Sequence, residues 1–229
     1  MREDITSLPV SEVFEERDGC PICRMRDLLE QRVTDYITGA ALMEPDVRVQ
    51  TNQLGFCAGH YGMLLKKRNR LGVALMLETR LQEIEKQVFS NLSSPFGPNV
   101  KKQAESADKP LHTCFVCQQV DWAMERMLAT VCRLWERESD FRRMYGEQPC
   151  LCLPHFAQVC AAAGHMGKKT AADFVRQSAD LCRGSLTELQ GDVSHFCKMF
   201  DYRSEGADWG NSRDSVERSI GWLTSRRPE

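Results

Sequence analysis

The chain has 229 residues, 42% of them hydrophobic and 27% charged, proportions of a globular protein able to bury a core in one large domain or two small ones. A formal net charge of −2 argues against nucleic-acid binding by broad phosphate neutralisation. No stretch is apolar and long enough to span a bilayer, and the acidic start (residues 1–19) lacks a signal core, so the reading is a cytoplasmic protein.

In chain order, the first helix is expected after Cys23, where Met25, Leu28, Leu29, Val33, Tyr36 and Ile37 recur at three- and four-residue steps. Glu44-Pro45-Asp46 ends it, and residues 47–56 read as a short extended or irregular return. A second helix is expected from near Ala58 to about residue 90. Residues 91–110 hold three prolines and few apolar residues and read as a linker. Val120, Met124, Met127, Leu128, Val131, Leu134 and Trp135 form the next helical stripe. Further helix is expected across residues 156–181, weakened by Gly164 and Gly167, and again where Leu186, Leu189, Val193, Phe196 and Phe200 step by three and four. The tail, 203–229, surrounds Trp209 with Gly and Asp. A last short helix should begin after Asn211 or Ser212, burying Val216, Ile220 and Leu223. Strand alternation is almost missing, so the fold expected is all-α.

The unusual feature is eleven cysteines: in a reducing compartment they should not be a disulfide framework, and the count is odd as well. Two Cys-x2-Cys pairs, Cys20/Cys23 and Cys114/Cys117, lie 94 residues apart. Each is followed by a Cys-x2-His pair, Cys57/His60 and Cys152/His155, which lie 95 apart. An aromatic residue, Tyr61 or Phe156, follows each histidine. This reads as an internal duplication. Cys150 aligns with Gly55 and reads as a bystander.

Three thiolates and one imidazole suit zinc in a tetrahedron, and four ligands close the ion's coordination, so such a site is structural. The expectation is therefore two zinc ions per chain, one in each of two helical modules, 20–90 and 111–202. The eight ligands would be Cys20, Cys23, Cys57, His60, Cys114, Cys117, Cys152 and His155. An iron–sulfur cluster on the same cysteines is the alternative cofactor.

The motifs "CPIC", "GFCAGHY", "NRLGVALMLETRL", "CFVC", "CLPHF" and "FDYR…WGNSRDSVERSI" resemble an uncharacterised bacterial family, mostly from Firmicutes, over nearly the whole chain. The resemblance implies a zinc-type helical protein and supplies no activity. "PCLCLPHF" departs from it, since glycine and an aromatic residue would be expected before the third cysteine.

Other residues read more plainly. The basic run 66–70 reads as a solvated face, His112 as a surface or outer group, and His165 and His195 as ordinary polar histidines. Cys132, Cys160, Cys182 and Cys197 read as core, with a Cys182–Cys197 redox pair as a variant. No phosphate loop, nucleophile elbow or HExxH is present. The favoured role is a binding or regulatory protein contacting a protein partner or small ligand. A thiol-redox or iron–sulfur protein, and an enzyme with a helical cleft away from the ions, are the alternatives.

Overall fold

A computed structural model describes residues 10–93, 99–204 and 206–226. Among them are eleven α-helices and no strand. In chain order these are α1 (Val10–Glu15), α2 (Pro21–Thr38), α3 (Pro45–Leu54), α4 (Ala58–Lys66), α5 (Arg70–Ile84), α6 (Val100–Asp108), α7 (Phe115–Arg137), α8 (Ser139–Gly146), α9 (Leu153–Ala163), α10 (Lys168–Lys198) and α11 (Ser215–Thr224). The all-α expectation holds. No helix is long and apolar enough to cross a membrane among the described residues.

The described residues divide into two compact units. One is Leu28–Ala123; the other joins residues 10–27 to 124–226. Both divisions fall inside a helix, α2 and α7. The module boundaries drawn from the sequence, 20–90 and 111–202, therefore differ from the units found. Positions 94 apart on α2 and α7 are buried alike: Ile22 and Val116, Leu29 and Ala123, Glu30 and Met124, Val33 and Met127, Ile37 and Val131.

In the unit Leu28–Ala123, residues 47–56 are not extended but carry α3. Pro45 at its first turn supplies a helical φ where no N–H is needed, and Asp46 suits the positive end of the helix. Val47 and Thr51, one turn apart, are buried, so packing overrides the strand preference of β-branched residues. The single helix expected from residue 58 to 90 is broken at Lys67–Asn69. There Asn69 caps α5 by accepting from the Gly72 N–H at 2.9 Å, while its amide donates to the Thr38 carbonyl at 2.7 Å. The expected linker is helical in its second half, where the Asn99 side chain caps α6 by accepting from the Lys102 N–H. Residues 94–98 and 1–9 lie outside the described residues.

The other unit is built on aromatic rings. Phe14 of α1 meets Phe141 at 5.1 Å and Tyr145 at 5.7 Å, both from α8. Tyr145 continues to Phe174 of α10 at 5.2 Å, and Phe174 to Trp135 of α7 at 5.1 Å. Polar tips are satisfied: Tyr145 Oη and Ser178 Oγ lie 2.7 Å apart, and Trp135 Nε1 donates to Gln177 at 2.6 Å. Residues expected as two helices before and after Leu186 are one continuous α10, separated from α9 at Gly164–Gly167.

The tail helix α11 forms where expected but buries a different face. Val216, Ile220 and Leu223 are exposed, whereas Ser215 and Trp222 are buried. Trp222 Nε1 donates to Ser185 Oγ of α10 at 3.0 Å, so the largest ring with a satisfiable N–H decides the docking face. Trp209 packs edge-on to Phe196 and Phe200.

Candidate metal centres

All four cysteine and histidine motifs open helices. Cys20 and Cys114 immediately precede α2 and α7, and Cys23 and Cys117 sit in their first turns. Cys57 and Cys152 are the N-cap residues of α4 and α9, with His60 and His155 one turn in. A helix start offers free N–H groups and the positive end of the dipole, which favours thiolate over thiol. The Cys117 N–H lies 3.5 Å from the Cys114 sulfur, as that geometry requires.

The eight side chains converge into two foursomes, Cys57/His60/Cys114/Cys117 and Cys20/Cys23/Cys152/His155. Within each, one donor atom per residue lies within 4.8 Å of the others. The composition is as expected but the pairing is exchanged. Each foursome takes one pair from each half of the sequence, rather than Cys20/Cys23 closing on Cys57/His60. The 18 residues of α2 carry the chain about 27 Å from Cys20 at 1.5 Å per residue before α3 begins. The Cys-x2-His motif at 57 meets the other Cys-x2-Cys.

The donor spacings fit one ion. A tetrahedron with zinc-to-sulfur arms of about 2.3 Å and a nitrogen arm of about 2.0 Å has edges of about 3.8 Å between sulfurs and about 3.5 Å from sulfur to nitrogen. In the first centre, His60 Nδ1 lies 3.1 Å from Cys57, 3.3 Å from Cys114 and 3.5 Å from Cys117, and Cys57 lies 4.0 Å from Cys117. In the second, His155 Nδ1 lies 3.1 Å from Cys152, 3.2 Å from Cys23 and 3.6 Å from Cys20, and Cys23 lies 3.6 Å from Cys152. Both clusters could hold a metal ion.

Crowding the thiols shifts their acidities in opposite directions. Burial raises Cys114, but hydrogen bonding and charge from His60 overcome it and bring the thiol down to about 6. Burial and the neighbouring sulfurs raise Cys117. Burial opposes a charge on His60, yet hydrogen bonds to Cys114 and Glu30 and the adjacent thiolates push it up to about 10. In the second centre Cys20 is held well below the usual thiol range against its own burial, by hydrogen bonds from Cys152, Cys23 and His155. Hydrogen bonds with Cys152 and Cys20 raise Cys23. For either foursome to hold a metal ion, the raised thiols, Cys117 and Cys23, would have to give up their protons to it.

The first centre has supports that the motifs did not reveal. Gly55, two residues before Cys57, takes φ 61° and ψ −156°, a combination essentially confined to glycine. Arg80 of α5 lies beneath it, donating to the Asn52 and Gln53 carbonyls at 2.6 and 2.9 Å. These are end-of-helix carbonyls of α3 that otherwise lack partners. Thr113 Oγ1 donates to the Leu54 carbonyl at 2.6 Å, and the Phe115 N–H to the Gly55 carbonyl at 2.9 Å. Two ligand loops are thereby tied directly together. Glu30 is 4% exposed and its carboxylate lies 3.6 Å from His60 Nε2. A charged residue on the apolar face of α2, between Leu29 and Val33, was the available signal.

Cys150 joins neither foursome; burial pushes its thiol up to about 11. His112 is exposed, 3.1 Å from Asp108, and His195 donates to the Asp208 carbonyl at 2.9 Å. Cys132 and Cys182 are buried, whereas Cys160 is half-buried and Cys197 is exposed. Cys182 and Cys197 lie on one continuous helix, α10, about 22 Å apart by rise alone, so they form no redox pair. In the basic run, Lys67 reaches Asp35 at 2.5 Å and Gln31 at 3.0 Å.

Over residues 1–229 the chain matches a family of unknown function, DUF6062, and belongs to it. No curated protein and no solved structure matches it.

Proposed function

We propose that this member of a family without an assigned activity is a cytoplasmic, zinc-pinned helical protein whose role is binding or regulation. Each foursome takes one zinc ion, with Cys20, Cys23, Cys57, His60, Cys114, Cys117, Cys152 and His155 as ligands. The observation that carries this reading is the match of donor spacings to the edges of a zinc tetrahedron. Four protein ligands leave no position for water or substrate, which supports a structural rather than catalytic ion. Donors gathered within 4.8 Å also favour one ion over a cluster, because a cluster divides its cysteines among several irons.

The matched burial of α2 and α7, with the 94- and 95-residue motif offsets, supports descent from a duplicated module whose halves exchanged their ligand pairs. All eleven cysteines are free, which supports a reducing compartment. The opening in the second unit, about 350 Å³ and lined by Ser11, Arg17, Glu138 and Arg143 among others, carries charges that pair with one another: Arg17 with Glu147 and Arg143 with Asp140. That supports a contact surface over a catalytic cleft. The work is then contact with a protein partner or small ligand through the helices.

The test is elemental analysis of anaerobically purified protein. Two zinc ions per chain in a colourless sample, with helix lost on chelation, is the expected result. Visible absorption with iron, or unchanged circular dichroism after chelation, would refute the reading. A thiol-redox role is the second reading, favoured by the exposure of Cys57. It requires zinc release at modest peroxide.

A further inference from the structure

We infer that Glu30 positions the His60 ligand from outside the first centre, as the acceptor for its Nε2–H, and that the second centre lacks this carboxylate, Met124 standing at the matching place. This rests on the metal-binding reading above and deepens it. His60 faces the three sulfurs through Nδ1. A ring bound through Nδ1 carries its proton on Nε2, and that edge lies 3.6 Å from the Glu30 carboxylate.

Three observations single out the pair. Glu30 is almost wholly buried, on the same face of α2 as Leu29 and Val33. A carboxylate in such surroundings is costly unless a hydrogen-bond donor or positive group faces it. Thr34, one turn on, is also fully buried, its hydroxyl donating to the Glu30 main-chain carbonyl at 2.8 Å and reaching the Gln31 carbonyl at 2.9 Å. Finally, the residue 94 places later is Met124, equally buried on α7. Methionine accepts only weakly through its thioether, so the carboxylate is a specialisation of one centre.

A carboxylate behind a histidine ligand fixes the ring's tautomer and angle and makes its other nitrogen a better donor to the ion. Losing such a partner typically weakens metal binding by about 10- to 100-fold.

The experiment compares the full chain, loaded with two zinc ions, with Glu30→Gln and Glu30→Met, the latter copying the second repeat. Chelator competition should show one of the two ions about 10- to 100-fold weaker in Glu30→Met, with the other unchanged as an internal control. Side-chain ¹⁵N NMR should show the His60 Nε2–H exchanging slowly in the unaltered protein, fast in Glu30→Met, and in between for Glu30→Gln, which keeps a neutral acceptor. A merely structural role would not move that proton. Unchanged competition and unchanged Nε2–H exchange in Glu30→Met would overturn the inference. Should that variant fail to fold, the same null result in near-isosteric Glu30→Gln would overturn it. Fewer than two ions in the unaltered protein would instead sink the metal-binding reading, before any variant is made.

Discussion

In the unit Leu28–Ala123 the four donors hang on polar ties: Arg80 on the α3 carbonyls, Thr113 on Leu54, Glu30 behind His60. One of its sulfurs, Cys57, is exposed, and Cys117 is half-buried. In the other unit Cys20, Cys152 and His155 are buried and Cys23 is half-buried, and the unit is braced independently by the ring chain Phe14–Tyr145–Phe174–Trp135. Aromatic burial contributes stability without an ion, whereas polar ties only hold once the loops they join are in place. On the proposed reading an ion would therefore be a keystone in one unit and a rivet in the other.

The largest expected effect comes from removing both ions. A structural zinc can contribute about 10–16 kcal/mol of apparent folding free energy, comparable to or above a whole domain's net stability of about 5–15 kcal/mol. Hydrogen exchange after chelation should lose protection across residues 28–123, while α8 and the middle of α10 keep a substantial part of theirs. Equal loss in both units would break the comparison. Next, Phe14→Ala should cost about 3–5 kcal/mol, as large-to-small changes in a packed core do. Thermal or urea unfolding followed by exchange should place that loss in the second unit, with the first ion retained. If the first ion left instead, the two units would not be independent.

Arg80→Met removes a charged donor from two carbonyls and should destabilise the first unit by about 2–3 kcal/mol. Gly55→Ala forces an alanine into a backbone region essentially confined to glycine and should cost about 1–3 kcal/mol there; its new Cβ would also stand 2.8 Å from Arg80 Nε. Both should lower the first ion's affinity more than the second's in chelator competition. The smallest change is in pH response. An ion entering the first centre displaces protons from His60, held up to about 10, and from the raised Cys117 at any pH between 6 and 8. As pH falls towards about 6 Cys114 also takes one. Affinity should fall with falling pH and the slope should steepen near pH 6; an affinity independent of pH would contradict the thiolate assignment.

Much of this was legible in the sequence. The eight positions that gather into the two foursomes followed from motif spacing, because a helix start can present a Cys-x2-Cys or Cys-x2-His pair without knowledge of the rest of the chain. The partition of those pairs was not legible. It depends on how far α2 carries the chain, and residues 47–56, most of which lie in α3, read as a short extended or irregular return. Glu30 was overlooked for a related reason: a glutamate in a helix suits solvent by itself, and only the fold turns it towards His60. The tail shows the same limit, since three aliphatic residues at helical spacing outvoted the single Trp222 whose N–H finds Ser185.

The exchanged pairing is most directly tested by ¹¹³Cd NMR of the cadmium-loaded chain, which should give two resonances. Cys20→Ser and Cys152→Ser should each shift or abolish one of them, and Cys57→Ser and Cys114→Ser the other. If Cys20→Ser and Cys57→Ser instead struck the same resonance, each ion would belong to one half of the sequence and the exchange of ligand pairs would be contradicted.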